Sequence, residues 1–187
     1  MKKILLGLLA LSAVTFAANP GTDSSADITI QAKLEVLAAT NDLVIEELND
    51  AGNWQPVAKT VEFDHGQVLQ STTSPVDVPT PSLVKSFRVK RANAANLDAN
   101  SSAAPGSYSK FSLDIGGVKG TVAGNMVGTG APIPHTFRTT DTTTPSTFAV
   151  GTKEIQFNIE SIVPKIGTNQ AAGVYTRTET VTVTLNN

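Results

Sequence analysis

The sequence contains no cysteine, and that absence removes two ways of holding a small exported domain together. A disulfide framework is excluded, and so is a thiolate metal site, so stability has to come from sheet packing or from a strand supplied by a partner. Histidine is almost as scarce. His65 and His135 are the only two, too few to build a metal centre without other ligands. Basic residues are not in excess either: the formal charge is −2, which argues against nucleic acid or an anionic membrane surface as a partner. No apolar run reaches the roughly 18 to 20 residues that a membrane-spanning helix requires.

Catalytic motifs are missing as well. There is no Gly-x-Ser-x-Gly elbow, no His-Glu-x-x-His and no phosphate-cradling glycine loop. Asp64-His65-Gly66 is the one local cluster that could pair a base with an orienting carboxylate, and a turn between strands explains those three residues more simply. No catalytic residue, cofactor or metal is therefore assigned, and the chain is not expected to be an enzyme.

The first residues are informative. Lys2 and Lys3 precede the apolar run from Ile4 to Leu11, and small residues then lead to Ala17, the pattern of a secretory signal cleaved after that alanine. Residues 1–17 are accordingly set aside. The charge becomes −4 once Lys2 and Lys3 leave, since no acidic residue precedes Asp23. What remains suits a single domain.

The remainder is rich in Thr, Val, Ala, Gly and Asn, with apolar and polar residues alternating in short runs between turn signals. Strands are expected at 27–37, 43–48, 57–63, 83–91, 108–115, 119–126, 133–139, 153–163 and 174–185. No amphipathic helix of ten residues is visible, although a single helical turn near Ala92 to Leu97 is compatible with the sequence. Many short strands at this spacing favour an all-β, immunoglobulin-like Greek-key sandwich.

Two strands stand out. From Asp27 to Val36 every even position is apolar and every odd one polar, so Ile28, Ile30, Ala32, Leu34 and Val36 share one face. The preceding Ala18 to Ala26, with Pro20, Gly21 and two serines, reads as a flexible lead-in. At the other end, Tyr175, Val181, Val183 and Leu185 share a face of a threonine-rich strand. Between them, Lys85, Arg88, Lys90 and Arg91 form a basic cluster, and Trp54 lies between Asn53 and Gln55 in a setting that could stack on a sugar ring. A solvated strand face and a core or hairpin residue are the plainer readings of those two features.

The closing Gly173-Val174-Tyr175 followed by alternating Thr and Val resembles the last strand of chaperone-usher pilins and of spore-coat-U-type secreted domains. The opening alternation, leading after a short break to Leu43-Val44-Ile45-Glu46, is similar to the donor strand and first domain strand of the alternate-chaperone colonisation-factor pilins. The pattern covers about 25 residues at the two ends. The resemblance implies an incomplete sandwich, residues 39–187, with residues 18–38 as an N-terminal extension carrying the donor strand. It further implies a structural subunit of a surface fimbria, exported through the periplasm and assembled by donor-strand exchange. Identical subunits, a periplasmic chaperone and an outer-membrane usher are the implied partners, and a tip adhesin is a further partner that such a filament can carry. The alternative is a self-contained secreted sandwich acting as a binding module.

Overall fold

The computed structural model describes residues 27–38, 43–57, 59–97, 109–139, 147–149 and 151–186, and among these there is no helix. The expected signal segment and the lead-in lie outside the described residues. The strand read at the N-terminus is β1, Asp27–Ala38. It is followed by β2 (Leu43–Leu48), β3 (Trp54–Pro56), β4 (Thr60–Leu69), β5 (Val76–Asp77), β6 (Ser82–Arg91) and β7 (Ser109–Ile115). The second half comprises β8 (Val118–Lys119), β9 (Thr121–Met126), β10 (Ile133–Thr139), β11 (Thr147–Phe148), β12 (Glu154–Ile162), β13 (Lys165–Ile166) and β14 (Gly173–Asn186).

These strands form an all-β sandwich. One sheet runs β11-β7-β14-β1-β4, with β8 hairpinned onto β7, and the other runs β3-β2-β6-β12-β10-β9; β5 and β13 make a small ribbon. Lettering β2, β6, β7, β10, β12 and β14 as A to F gives A-B-E-D in one sheet and C-F in the other, the immunoglobulin-like arrangement with its seventh strand still to be placed. That place, beside the last strand, is held by β1. It comes from the wrong end of the chain and runs parallel to β14, whereas a seventh strand following on from β14 by a hairpin would be antiparallel.

Burial follows the strand period. In β12, Ile155, Phe157, Ile159 and Ser161 point inward, and in β10 so do Ile133, His135 and Phe137. Phe87 stacks on its cross-strand neighbour Phe157 at 5.5 Å, and Phe63 meets Phe137 edge-on across the sandwich at 5.7 Å. Both geometries suit the quadrupoles of aromatic rings.

Two expectations are corrected. Asp64-His65-Gly66 is not a turn between strands: β4 runs on to Leu69. The pairing register shifts where Ile30 faces Gly66 and Gln31 faces Asp64, which leaves His65 as the extra residue of a bulge. Gly66 takes φ +88° there, and its N–H donates to Asp64 Oδ1 at 2.9 Å, so local turn chemistry is used inside a strand to reset its phase. The segment at Ala92 to Leu97 is a turn with Ala94 at φ +58°, not a helical turn, and Leu97 is fully buried.

Glycines mark close approaches. Gly116 and Gly117, both with positive φ, form the two-residue turn between β7 and β8. A Cβ on Gly128 would lie 2.7 Å from the Tyr175 ring and 2.6 Å from the Val174 carbonyl oxygen, and one on Gly130 would lie 2.5 Å from the Tyr175 hydroxyl. Tyr175 is seated in that notch, fully buried, with its hydroxyl donating to the Ala171 carbonyl at 2.9 Å. Gly128→Ala is therefore expected to destabilise the fold by about 1 to 3 kcal/mol through overpacking. Gly167→Ala, where nothing lies within 4 Å of the added methyl, is expected to change stability by less than about 0.5 kcal/mol. Urea denaturation of the two variants checks the contrast.

Candidate functional site

The slot that β1 occupies has two walls. β14 pairs with it in parallel from Ile28↔Gly173 to Ala38↔Val183, and β4 pairs antiparallel from Asp27↔Leu69 to Glu35↔Thr60. The walls do not pair with each other. Main-chain groups on both would be orphaned if β1 left, and unpaired strand edges are a template for another strand. Ile28, Ile30 and Ala32, expected on the dry face, are fully buried. Leu34 and Val36 belong to the same strand, but their side chains lie outside the described set, as does that of Leu185. Tyr175, Val181 and Val183 are fully buried on the inner face of β14, so the structure brings most of the expected site residues to one place.

Burying Ile28 and Ile30 contributes on the order of 3 to 6 kcal/mol. A typical domain's net stability is about 5 to 15 kcal/mol. The occupant of this slot therefore decides whether the sandwich holds.

Beneath β1 lies a feature that sequence reading missed. His65 on β4, Ser161 on β12, His135 on β10 and Arg177 on β14 form one hydrogen-bonded chain through the interior. His65 Nδ1 is 2.6 Å from the Thr80 carbonyl oxygen, and its Nε2 is 2.8 Å from Ser161 Oγ. Ser161 Oγ is also 2.8 Å from His135 Nε2, and Arg177 Nη1 is 3.3 Å from His135 Nδ1. A carbonyl can only accept, so His65 carries its proton on Nδ1 and accepts at Nε2 from the serine hydroxyl. The serine oxygen then accepts from His135 Nε2–H, and His135 Nδ1 accepts from Arg177. Every link is satisfied with both imidazoles neutral.

Arg177 is anchored from several sides. Its guanidinium donates to the His135 carbonyl at 2.9 Å and to Glu179 at 2.7 Å. It crosses the space beside Gly124, where an added Cβ would stand 2.6 Å from Cζ; this explains a glycine inside β9. The signal that could have revealed it is phase: Arg177 occupies an odd position among Tyr175, Val181 and Val183, where an isolated cation demands buried partners.

Asp64 plays no orienting part in this chain. It faces outward and caps Gly66, while Thr80 orients His65. Ser161 beside two imidazoles has the residue types of an activated nucleophile, yet all three side chains are enclosed, with His135 the most exposed at 2%.

The basic cluster resolves into ion pairs, those of Arg88 and Lys90 on the outer face of the second sheet and that of Lys85 on its inner side, over the Phe63 ring. Lys85 pairs with Glu47, Arg88 with Glu46 and Glu154, and Lys90 with Glu46. Burial pushes the Glu46 carboxyl up, but Lys90 and Arg88 together outweigh it and hold the group below its ordinary value. Arg91 is buried and donates to the Leu97 carbonyl. Trp54 is half-buried under the Arg88 guanidinium at 4.8 Å, so that cation stacks on the indole face.

Searches against protein-family models and against curated proteins find no match for this chain.

Burial holds both histidines below the ordinary imidazole value. For His135, burial is reinforced by the Arg177 cation and by His65, and its pKa falls to about 3. For His65, burial prevails over the Thr80 carbonyl and the Asp64 charge, which both favour the proton. The unfolded chain thus binds more protons than the folded one below about pH 6.5. The stability contributed by neutral His135 is complete above that value and is lost as pH falls toward about 3. Urea midpoints are expected to be flat from pH 7 to 8 and to decline steadily from pH 6 to 4, and His135→Gln is expected to flatten the decline.

Proposed function

We propose that this chain is a structural subunit of a surface filament, assembled when the slot between β14 and β4 accepts an equivalent strand from a neighbouring copy. The observation that carries this reading is the position of β1. An immunoglobulin-like sandwich has its seventh strand supplied from the N-terminus, apolar on one face, and pairing with both walls through main-chain hydrogen bonds. Main-chain pairing is indifferent to which molecule provides the strand, and alternate side chains confer the fit.

Exchange of this kind is heterologous. Each copy gives a strand at one end and receives one at the other, so the contact need not close and its natural product is a filament. Export through the periplasm, a chaperone that shields the empty slot, an outer-membrane usher and a role in adhesion belong to the same proposal. They follow from the resemblance at the two chain ends and from the aggregation hazard of an open slot.

A second reading has its own support. β1 fills the slot of its own chain along nearly its whole length, which favours a self-contained secreted sandwich acting as a binding module.

Material sheared from the surface of expressing cells separates the two when run in SDS with and without boiling. The filament reading expects a ladder of multimers that collapses to monomer on boiling and is abolished by Ile28→Asp with Ile30→Asp. A chain lacking residues 18–38 is expected to capture a synthetic peptide of residues 27–38 in a one-to-one complex. A monomer band under every condition, together with a truncated chain that neither folds nor takes up peptide, would establish the self-contained sandwich instead.

A further inference from the structure

Among the described residues β4 is the last strand of its sheet and pairs with β1 alone. It is held to the molecule by its main-chain pairing with β1, by the Thr80 hydroxyl that donates to the His65 carbonyl at 2.8 Å, and by its inward side chains, chiefly Val61, Phe63, His65 and Val68. His65 is the inward polar group among them, and through Ser161 and His135 it connects to Arg177 on the other wall. The hydrogen-bonded chain thus spans from one wall of the slot to the other by way of the opposite sheet, passing beneath Ala32, whose register partners are Phe63 and Arg177.

We propose that the chain Arg177–His135–Ser161–His65 is an acid-sensitive latch that fixes the two walls of the slot, so that protonation of its histidines frees β1 and β4 while the second sheet stays paired. The inference concerns release of the strand and holds whichever molecule supplies the strand that re-enters.

Protonation breaks the chain for a geometric reason. A proton on His135 Nδ1 turns an acceptor into a donor facing the Arg177 guanidinium, and one on His65 Nε2 leaves the serine hydroxyl without an acceptor there. The compensation available nearby is small. From β14, Arg177 repels the new charge and Glu179 is already bound to Arg177. On β4 itself, Asp64 faces outward beyond the bulge. From β12, Glu160 is turned to the outer face, bonded to Arg138 and Ser82. From β6, Lys85 lies over Phe63 and pairs with Glu47. From β1, Ile30 and Ala32 offer only apolar contact. A charged imidazole is relieved when water reaches it, and departure of β1, which lies between the two walls, opens the interior between them to water.

The main-chain pairing of the second sheet does not run through β1. β6 pairs with β12 from Ser82↔Ile162 to Lys90↔Glu154, and the carboxylates that tie its outer face titrate near or below 4.5 when free. Between pH 7.5 and 5 the histidines, once exposed, are the side chains whose charge changes.

Hydrogen–deuterium exchange of the full chain at pH 7.5 and pH 5.0, corrected for intrinsic rates, tests this. Amides of β1 and β4 are expected to lose about thirtyfold protection at pH 5.0 for His135 alone, the linkage factor for a group with a free pKa near 6.5. Those of β6 and β12 are expected to hold. Parallel loss in both sheets would show ordinary acid unfolding and overturn the latch, as would unchanged protection of β1. In a folded His65→Gln, His135→Gln chain the acid-induced loss is expected to vanish, and its persistence also overturns the proposal. Should that variant not fold, the wild-type contrast between the sheets decides alone.

Discussion

Everything in the sandwich depends on one vacancy being filled: β14 and β4 lie one strand apart, each with a full row of main-chain groups directed at the gap. Neither wall can satisfy the other. A single strand must satisfy both and close the core below, which is why the strongest alternation in the sequence sits at Asp27 to Val36. The apolar face of that strand is a continuation of the core as much as an interface. An apolar contribution of a few kcal/mol, placed where a marginally stable domain depends on it, makes occupancy of the slot and folding nearly the same event.

Below this seam the interior is not uniformly apolar. A guanidinium, two imidazoles and a hydroxyl run through it in one direction, with Glu179 balancing the cation at the protein's edge. Such a network is costly when any member lacks a partner and rigid when all are satisfied. Among the described residues every buried side-chain polar atom has a partner. The fit is achieved partly by what is missing, since Gly124 leaves the passage that Arg177 uses.

The sequence made the strands legible because side-chain period is a local property. β2 and β10 match the expected 43–48 and 133–139 to the residue, and Tyr175, Val181 and Val183 of β14 lie inward as the alternation marks. Two kinds of feature were hidden. The bulge in β4 uses residues with turn chemistry, and Asp-His-Gly reads the same whether the chain reverses or only shifts phase. The polar chain joins positions 65, 135, 161 and 177, which no local window contains; only Arg177, a cation in phase with the inward residues of β14, hints at it. The orientation of β1 was hidden for a related reason, because alternation fixes which face is dry but not which strands lie alongside or in which direction they run. The basic cluster looked like a patch because its acidic partners, Glu46, Glu47 and Glu154, come from other strands.

The pairing of Ile28 with Gly173 sets an order in time. The first strand of the fold cannot take its parallel neighbour until about 145 further residues have been made, and contacts of such long range slow folding. A growing chain can assemble β2 against β6 early, but its central strand waits for its last one. During that wait the apolar face of β1 has no permanent partner, and a nascent or interrupted chain carries it exposed. The arrangement delays commitment to the closed fold until the whole polypeptide is present, and any copy cut short before β14 is left marked by a first strand with one edge unpaired.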